Sequence, residues 1–165
     1  MKQLLLVRHA KSDWNSEAQS DFERPLNKRG HKDAPEMAER LLQKHLVPQL
    51  IVSSPALRAF TTAKYFAKTL GIDEKLIHTD AAIYEASANT LLNVINKLDN
   101  KYNFVALFGH NPGLTNLAIN LCDTEVYDIP TCGQILIVFP FDDWQLISKG
   151  TGAETLYDFP KNEED

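Results

Sequence analysis

Hydrophobic positions along the chain fall into two textures. Short unbroken apolar runs end abruptly in polar residues, and longer stretches carry apolar residues three or four apart. Leu4-Leu5-Leu6-Val7, Leu50-Ile51-Val52 and Phe104-Val105-Ala106-Leu107-Phe108 are runs of the first kind. Runs without alternation suit strands covered on both faces, as in a parallel sheet between helices. Ala34, Met37, Ala38, Leu41, Leu42 and Leu46 form a helical stripe that Asn27 can cap and Pro48 interrupts. The spacing predicts a second helix from about Pro55 to Leu70, closed by Gly71. A third covers Ala88 to Asp99, and a fourth runs from near Pro112 to about Cys122. Leu76 to His78 reads as a short strand. Gln134–Phe139 and Trp144–Ser148 read as a terminal hairpin turning at Pro140–Asp143. Strand–helix alternation followed by two late strands predicts a three-layer α/β/α sandwich with a mostly parallel central sheet. The hairpin adds an antiparallel edge.

Length and charge narrow the classes of partner. The 165 residues read as one domain over 1–160, with 161–165 a frayed acidic tail. A net charge of −5 disfavours nucleic acid and anionic membrane, so any anion site must be a local concentration of cations. No apolar segment approaches the roughly 20 residues needed to span a bilayer. The N-terminus enters a strand without a signal-peptide layout, and the expected location is cytoplasmic. Cys122 and Cys132 lack metal-ligand spacing and read as buried free thiols. Oligomeric state is not legible.

Candidate chemistry gathers where the apolar runs stop. The first run meets Arg8-His9, the fourth strand meets Gly109-His110-Asn111-Pro112, and the second meets Ser53-Ser54-Pro55-Ala56-Leu57-Arg58. Ligand sites of parallel sheets lie beyond the carboxyl ends of the strands. Ser54 suits an N-cap and Pro55 a first helical position, which puts Arg58 in the first helical turn. A cation there opposes the helix dipole unless an anion lies between them. Two planar guanidinium forks can grip the oxygens of a phosphoryl group, helix amides near Ser54 or Pro112 can add donors, and an imidazole can attack phosphorus. A rival reading makes His9, His110 and Asp13 metal ligands, but adjacent arginines repel a cation; no metal and no cofactor is expected. His31, His45 and His78 lie off the strand-end pattern and read as structural or solvated.

Leu6-Val7-Arg8-His9, Ser54-Pro55-Ala56-Leu57-Arg58 and Gly109-His110-Asn111-Pro112, in that order, resemble the histidine phosphatase (phosphoglycerate mutase-like) superfamily. Arg8-His9-Ala10-Lys11-Ser12-Asp13-Trp14 and Arg24-Pro25-Leu26-Asn27-Lys28-Arg29-Gly30 look more narrowly like the SixA-type phosphohistidine phosphatases. The resemblance implies that His9 is the phosphorylated nucleophile, that Arg8 and Arg58 bind the phosphoryl group, and that His110 completes the pocket. Ser12 and Asn15 match positions that help bind phosphate in longer relatives, or else they cap the loop. Ala10 and Lys11 depart from those relatives, which carry glycine and glutamate or glutamine there. The general acid is open between Glu85 and Asp13, and Glu85 could equally be an exposed loop residue. The implied activity is a metal-independent phosphatase with a phosphohistidine intermediate, acting on phosphohistidine in a protein. A small-molecule phosphomonoesterase and a non-catalytic phosphate or phosphoprotein binding module are the alternatives. The rim expected to meet a partner is Ala10 to Gly30, through Lys11, Arg24 and Lys28.

Overall fold

Leu4 to Val7 are completely buried within the first strand, β1 (Lys2–Arg8), as a run without alternation requires. The computed structural model describes residues 1–15, 17 and 20–162. Beyond β1, its strands are β2 (Leu50–Ser53), β3 (Ile77–Thr79), β4 (Phe104–Gly109), β5 (Cys122–Asp123), β6 (Gln134–Phe139) and β7 (Gly152–Asp158). The helices are α1 (Lys28–Gln43), α2 (Leu57–Leu70), α3 (Ala88–Asn96) and α4 (Gly113–Leu121). One sheet has the order β3-β2-β4-β1-β6-β7-β5. Strands β1 to β4 are mutually parallel, and β6 runs against both β1 and β7.

The pleat of β1 divides the core. Leu5 and Val7 pack with Met37, Leu41 and Phe66 of α1 and α2, whereas Leu4 and Leu6 pack with Leu91, Ile95, Leu114 and Leu117 of α3 and α4. The result is an α/β/α sandwich. Cys122 and Cys132 are free and buried, one in each half of this core.

Several boundaries differ from the sequence reading, each for a local reason. Helix α1 stops at Gln43 rather than Leu46. His45 adopts φ 58°, and Leu46 N donates to Leu41 O at 3.0 Å, which closes the helix as a Schellman turn. Histidine, not glycine, holds the left-handed position, so the usual stop signal is absent. Helix α2 begins at Leu57, with Ala56 rather than Ser54 at its cap. The Ser54–Pro55 pair remains a turn because Ser54 Oγ accepts from Ala56 N at 3.2 Å.

The late hairpin pairs β6 with Gly152–Asp158, not with Trp144–Ser148. Trp144 is instead a fully buried anchor in a short 3₁₀ turn, its Nε1 donating to Tyr102 O at 2.9 Å. Nor is the hairpin an edge: β6 sits against β1 inside the sheet, and the short β5 flanks β7. The tail expectation concerns 163–165 chiefly, which lie outside the described residues.

Candidate active site

Three parallel strands bring the site together. Arg8 at the end of β1 pairs in register with Gly109 at the end of β4, and Ser53 at the end of β2 pairs with Phe108. His9, Ser54 and His110 therefore emerge side by side beyond one edge of the sheet. The backbone continues the ladder there: His9 N donates to Gly109 O at 3.1 Å, and Ser54 N to Phe108 O at 3.0 Å. The two imidazole centroids lie 5.3 Å apart. Arg58, the second residue of α2, is also buried.

His9 has an assigned tautomer. Its Nδ1 lies 2.8 Å from Ala10 O, and a carbonyl oxygen only accepts, so Nδ1 carries the proton and Nε2 keeps a lone pair. Burial pulls the His9 pKa from 6.5 to about 3, against the Ala10 hydrogen bond and helped by His110, Arg58 and Arg8. Burial, followed by Arg58, takes His110 down to about 4. Both rings are neutral near pH 7. His110 Nε2 meets Ser54 Oγ at 2.7 Å. Ser54 thus serves the site as a side chain rather than as a helix cap.

Both arginines are held by their terminal nitrogens. Arg8 Nη1 donates to Ile129 O at 2.9 Å, and burial lowers its pKa. Ile129 is itself fixed by Asn111 Nδ2, which donates to its carbonyl, and by Thr115 Oγ1, which accepts from its amide. Arg58 donates through Nη1 to Asp21 O at 2.7 Å and through Nη2 to Asp21 Oδ2 at 3.0 Å. The same carboxylate accepts from Tyr84 Oη at 2.7 Å and from Arg24 Nη2 at 3.0 Å. These donors, Tyr84 foremost, hold Asp21 down at about 2, and Asp21 pushes Tyr84 up to about 12. The Tyr84 ring meets His110 edge-on at 5.6 Å, so Asp21 and Tyr84 together wall the pocket. Gly113 lets the start of α4 lie against the loop that follows Tyr84: a Cβ there would lie 2.0 Å from Ala86 O.

Three polar atoms at this site are buried with no partner among the described residues: Arg8 Nε, Arg58 Nε and His110 Nδ1. A buried unsatisfied donor costs about 1–3 kcal/mol. Their coincidence at the end of the sheet marks where an oxyanion would be satisfied. The expected contribution from helix amides beside Ser54 does not appear. Ala56 N is taken by Ser54 Oγ, and Leu57 N by Phe22 O.

The other candidates sit further out. Ser12 is buried and accepts from Arg24, which links it to Asp21. Asn15 is exposed, with no side-chain contact to the four central residues among those described, and Asp13 Oδ1 accepts from Asn15 N in a local turn. Arg24 is buried and internally bonded, so it is not the rim charge the sequence suggested. Glu85 is exposed beside Tyr84 with φ 56°, a left-handed backbone that non-glycine residues seldom adopt. His31, His45 and His78 are exposed and remote from the pair. Among the described residues, no three His, Cys, Asp or Glu side chains converge as metal ligands would. Sequence reasoning missed Asp21 as the partner of Arg58. The Asp21/Arg24 spacing hints at a local ion pair, but nothing in the sequence signals its reach to α2.

A three-layer sandwich with this mostly parallel central sheet is the phosphoglycerate mutase-like fold. The chain belongs to the histidine phosphatase superfamily, branch 1, whose family model matches residues 4–110. That membership supports a phosphatase activity. An uncharacterized chloroplastic protein of Arabidopsis thaliana is 31% identical over 152 residues, 87% of this chain and 69% of its own length. Phosphoserine phosphatase 1 of Hydrogenobacter thermophilus is 33% identical over 90 residues, 51% of this chain and 42% of its own. Among solved structures, a candidate phosphohistidine phosphatase SixA from Agrobacterium tumefaciens superposes with TM-score 0.80 at 25% identity, covering 96% of this chain and 98% of that one. The protein histidine phosphatase SixA in complex with tungstate gives 0.82 at 21%, covering 97% and 98%. At that identity the likeness bears on the fold alone. No helix of the described residues is long and apolar enough to cross a membrane.

Proposed function

We propose that this chain removes the phosphoryl group from phosphohistidine in a protein, with His9 as nucleophile. The carrying observation is the set of unpartnered buried nitrogens, Arg8 Nε, Arg58 Nε and His110 Nδ1, around a neutral His9 whose Nε2 keeps its lone pair. His9 Nε2 attacks phosphorus and forms an N–P bond as the bond to the leaving group breaks. Arg8 and Arg58 hold the equatorial oxygens, and His110 Nδ1–H donates to one of them. Water then attacks phosphorus and breaks the His9–phosphorus bond, releasing phosphate and regenerating the free imidazole. Two guanidinium groups supply the positive charge that the transfer needs, so the step is written without a metal.

A phosphohistidine leaving group becomes a neutral imidazole once its other nitrogen is protonated, so it makes little demand on a general acid. Exposed aromatic residues around the mouth support a protein as the substrate. Trp14, 78% exposed, stacks on Arg24 with 3.6 Å from guanidinium to ring, and Phe22 packs edge-on against Tyr84 at 5.2 Å. Exposed aromatics of this kind are enriched where proteins meet. Ser12 and Asn15 act as loop residues beside this rim in this reading.

Small-molecule phosphomonoesterase is the second reading, and the unusual backbone of Glu85 beside Tyr84 favours it, because an alkoxide leaving group needs an acid. The deciding experiment compares a phosphohistidine-bearing carrier protein with phosphomonoesters in excess chelator, using His9→Ala and Glu85→Gln. The proposal expects rapid loss of phosphate from the carrier, at least about a thousandfold loss with His9→Ala, and little change with Glu85→Gln. Preferential turnover of a phosphomonoester that collapses with Glu85→Gln overturns it. Undiminished phosphate binding with no turnover of any substrate would mark a binding module instead.

A further inference from the structure

Beside the pocket lies a second concavity of about 230 Å³ that the reaction does not use. Among the described residues its cations are Lys11, Arg29 and Lys161, its one carboxylate is Asp33, and Phe159 and Pro160 give it an apolar side. It adjoins the catalytic residues through two stretches of chain. Lys11 follows His9 by two residues. Thr131, which also lines it, precedes Cys132, whose amide bonds to Arg8 O and His9 O.

Asp33 is buried and paired with Arg29 at 3.2 Å, so it does not offset the remaining cations. Helix α1 extends the same surface. It opens with Lys28 and Arg29, Lys32 follows, and no acidic residue lies in its first turn. Cations at a helix N-terminus oppose the macrodipole and destabilise the helix. All three are exposed, on a chain whose net charge is −5. Gly30 seats this turn against the backbone of Lys11, since a Cβ there would fall 2.2 Å from Lys11 O. Positive charge is therefore gathered in the cleft, through Lys11, Arg29 and Lys161, and on the adjoining first turns of α1, through Lys28 and Lys32, at the expense of helix stability.

We propose that this cleft docks the substrate protein through an acidic side chain flanked by an apolar residue, close to its phosphohistidine. The inference rests on the protein-phosphohistidine reading above. Lys11, Lys161 and the outer edge of Arg29 meet the carboxylate, and Phe159 and Pro160 take the apolar neighbour. Charge attraction of this exposed kind raises the encounter rate and weakens with salt.

The test uses two short peptides, each phosphorylated on a single histidine, one with acidic and apolar flanking residues and one with lysines in their place. An aryl phosphate monoester serves as the substrate that does not reach the cleft. The variant is Lys11→Gln with Lys161→Glu, two residues that line the cleft, and it spares Arg29 and its buried partner. The acidic peptide should have a kcat/KM about fivefold or more above the lysine peptide at low salt, and the gap should shrink as salt rises. The double variant should remove that gap and leave aryl phosphate hydrolysis as it was. Equal kcat/KM for both peptides in the unmodified protein overturns the docking proposal while the phosphohistidine reading stands. So does a variant that slows all three substrates alike. Hydrolysis of the aryl phosphate without turnover of either peptide overturns the phosphohistidine reading, and the docking proposal with it.

Discussion

Filling the pocket with an inert oxyanion should stabilise the fold by an amount the geometry sets. The perturbation is tungstate at 10 mM, about a hundredfold above the Kd worked below. Arg8 Nε, Arg58 Nε and His110 Nδ1 are buried and unpartnered. A hydrogen bond to a charged group contributes about 1.5–3 kcal/mol, so three give roughly 4.5–9 kcal/mol before losses. Ordering and desolvating the ion remove part of this, and a net of about 5.5 kcal/mol corresponds to a Kd near 0.1 mM. At a hundredfold excess the native state gains about 2.7 kcal/mol. For a chain of this length each kcal/mol moves Tm by about 2–4 °C, so the expected shift is roughly 5–10 °C. Differential scanning fluorimetry at pH 7 measures it, with sulfate-free buffer as baseline and Arg58→Gln as control. The shift should fall below about a third of its value in Arg58→Gln, which loses one donor and the charge behind it. An unmoved Tm in the unmodified protein, or an equal shift in the variant, would refute the reading of these nitrogens as an anion cradle.

Two further outcomes follow from the same structure. His9 and His110 titrate in the unfolded chain near 6.5 but in the folded chain only near 3 and 4. Between those values the unfolded state binds more protons, so stability falls as pH drops below 6.5; at pH 5 each histidine costs about 2 kcal/mol. Urea midpoints measured from pH 7 to pH 5 should decline, less steeply in His9→Gln, and a flat profile would show that the rings are not buried neutral. Gly30→Ala should lower Tm although a helical glycine-to-alanine change normally stabilises by about 1 kcal/mol. The added Cβ would lie 2.2 Å from Lys11 O, and relieving that overlap costs about 1–3 kcal/mol beyond the helical gain; an unchanged or raised Tm would mean that α1 does not abut the Lys11 backbone.

The apolar runs and the residues that end them belong to the sequence. A strand buried on both faces must be apolar throughout, so β1, β2 and β4 and the positions of Arg8, His9 and His110 at the ends of β1 and β4 are legible from the local pattern. Arg58 is legible for a related reason, because a cation in a first helical turn is anomalous without an anion. What the sequence leaves open is set by partners distant along the chain. Asp21 reaches Arg58 across 37 positions, and Ser54 reaches His110 across 56. Neither pairing has a local signal, since both depend on loops that meet only after the strands have taken their order. The late strands show the same division. Trp144 and Ile147 have the composition of a strand, yet burial of the indole against Lys2 and Tyr102 pulls that segment into a turn. The strand role passes to the half-exposed Gly152–Asp158. Local pattern determined which segments had to be covered and where the chemistry could emerge. Only the assembled sheet decided which side chains hold the arginines, because those contacts follow from strand order and loop closure rather than from neighbouring residues.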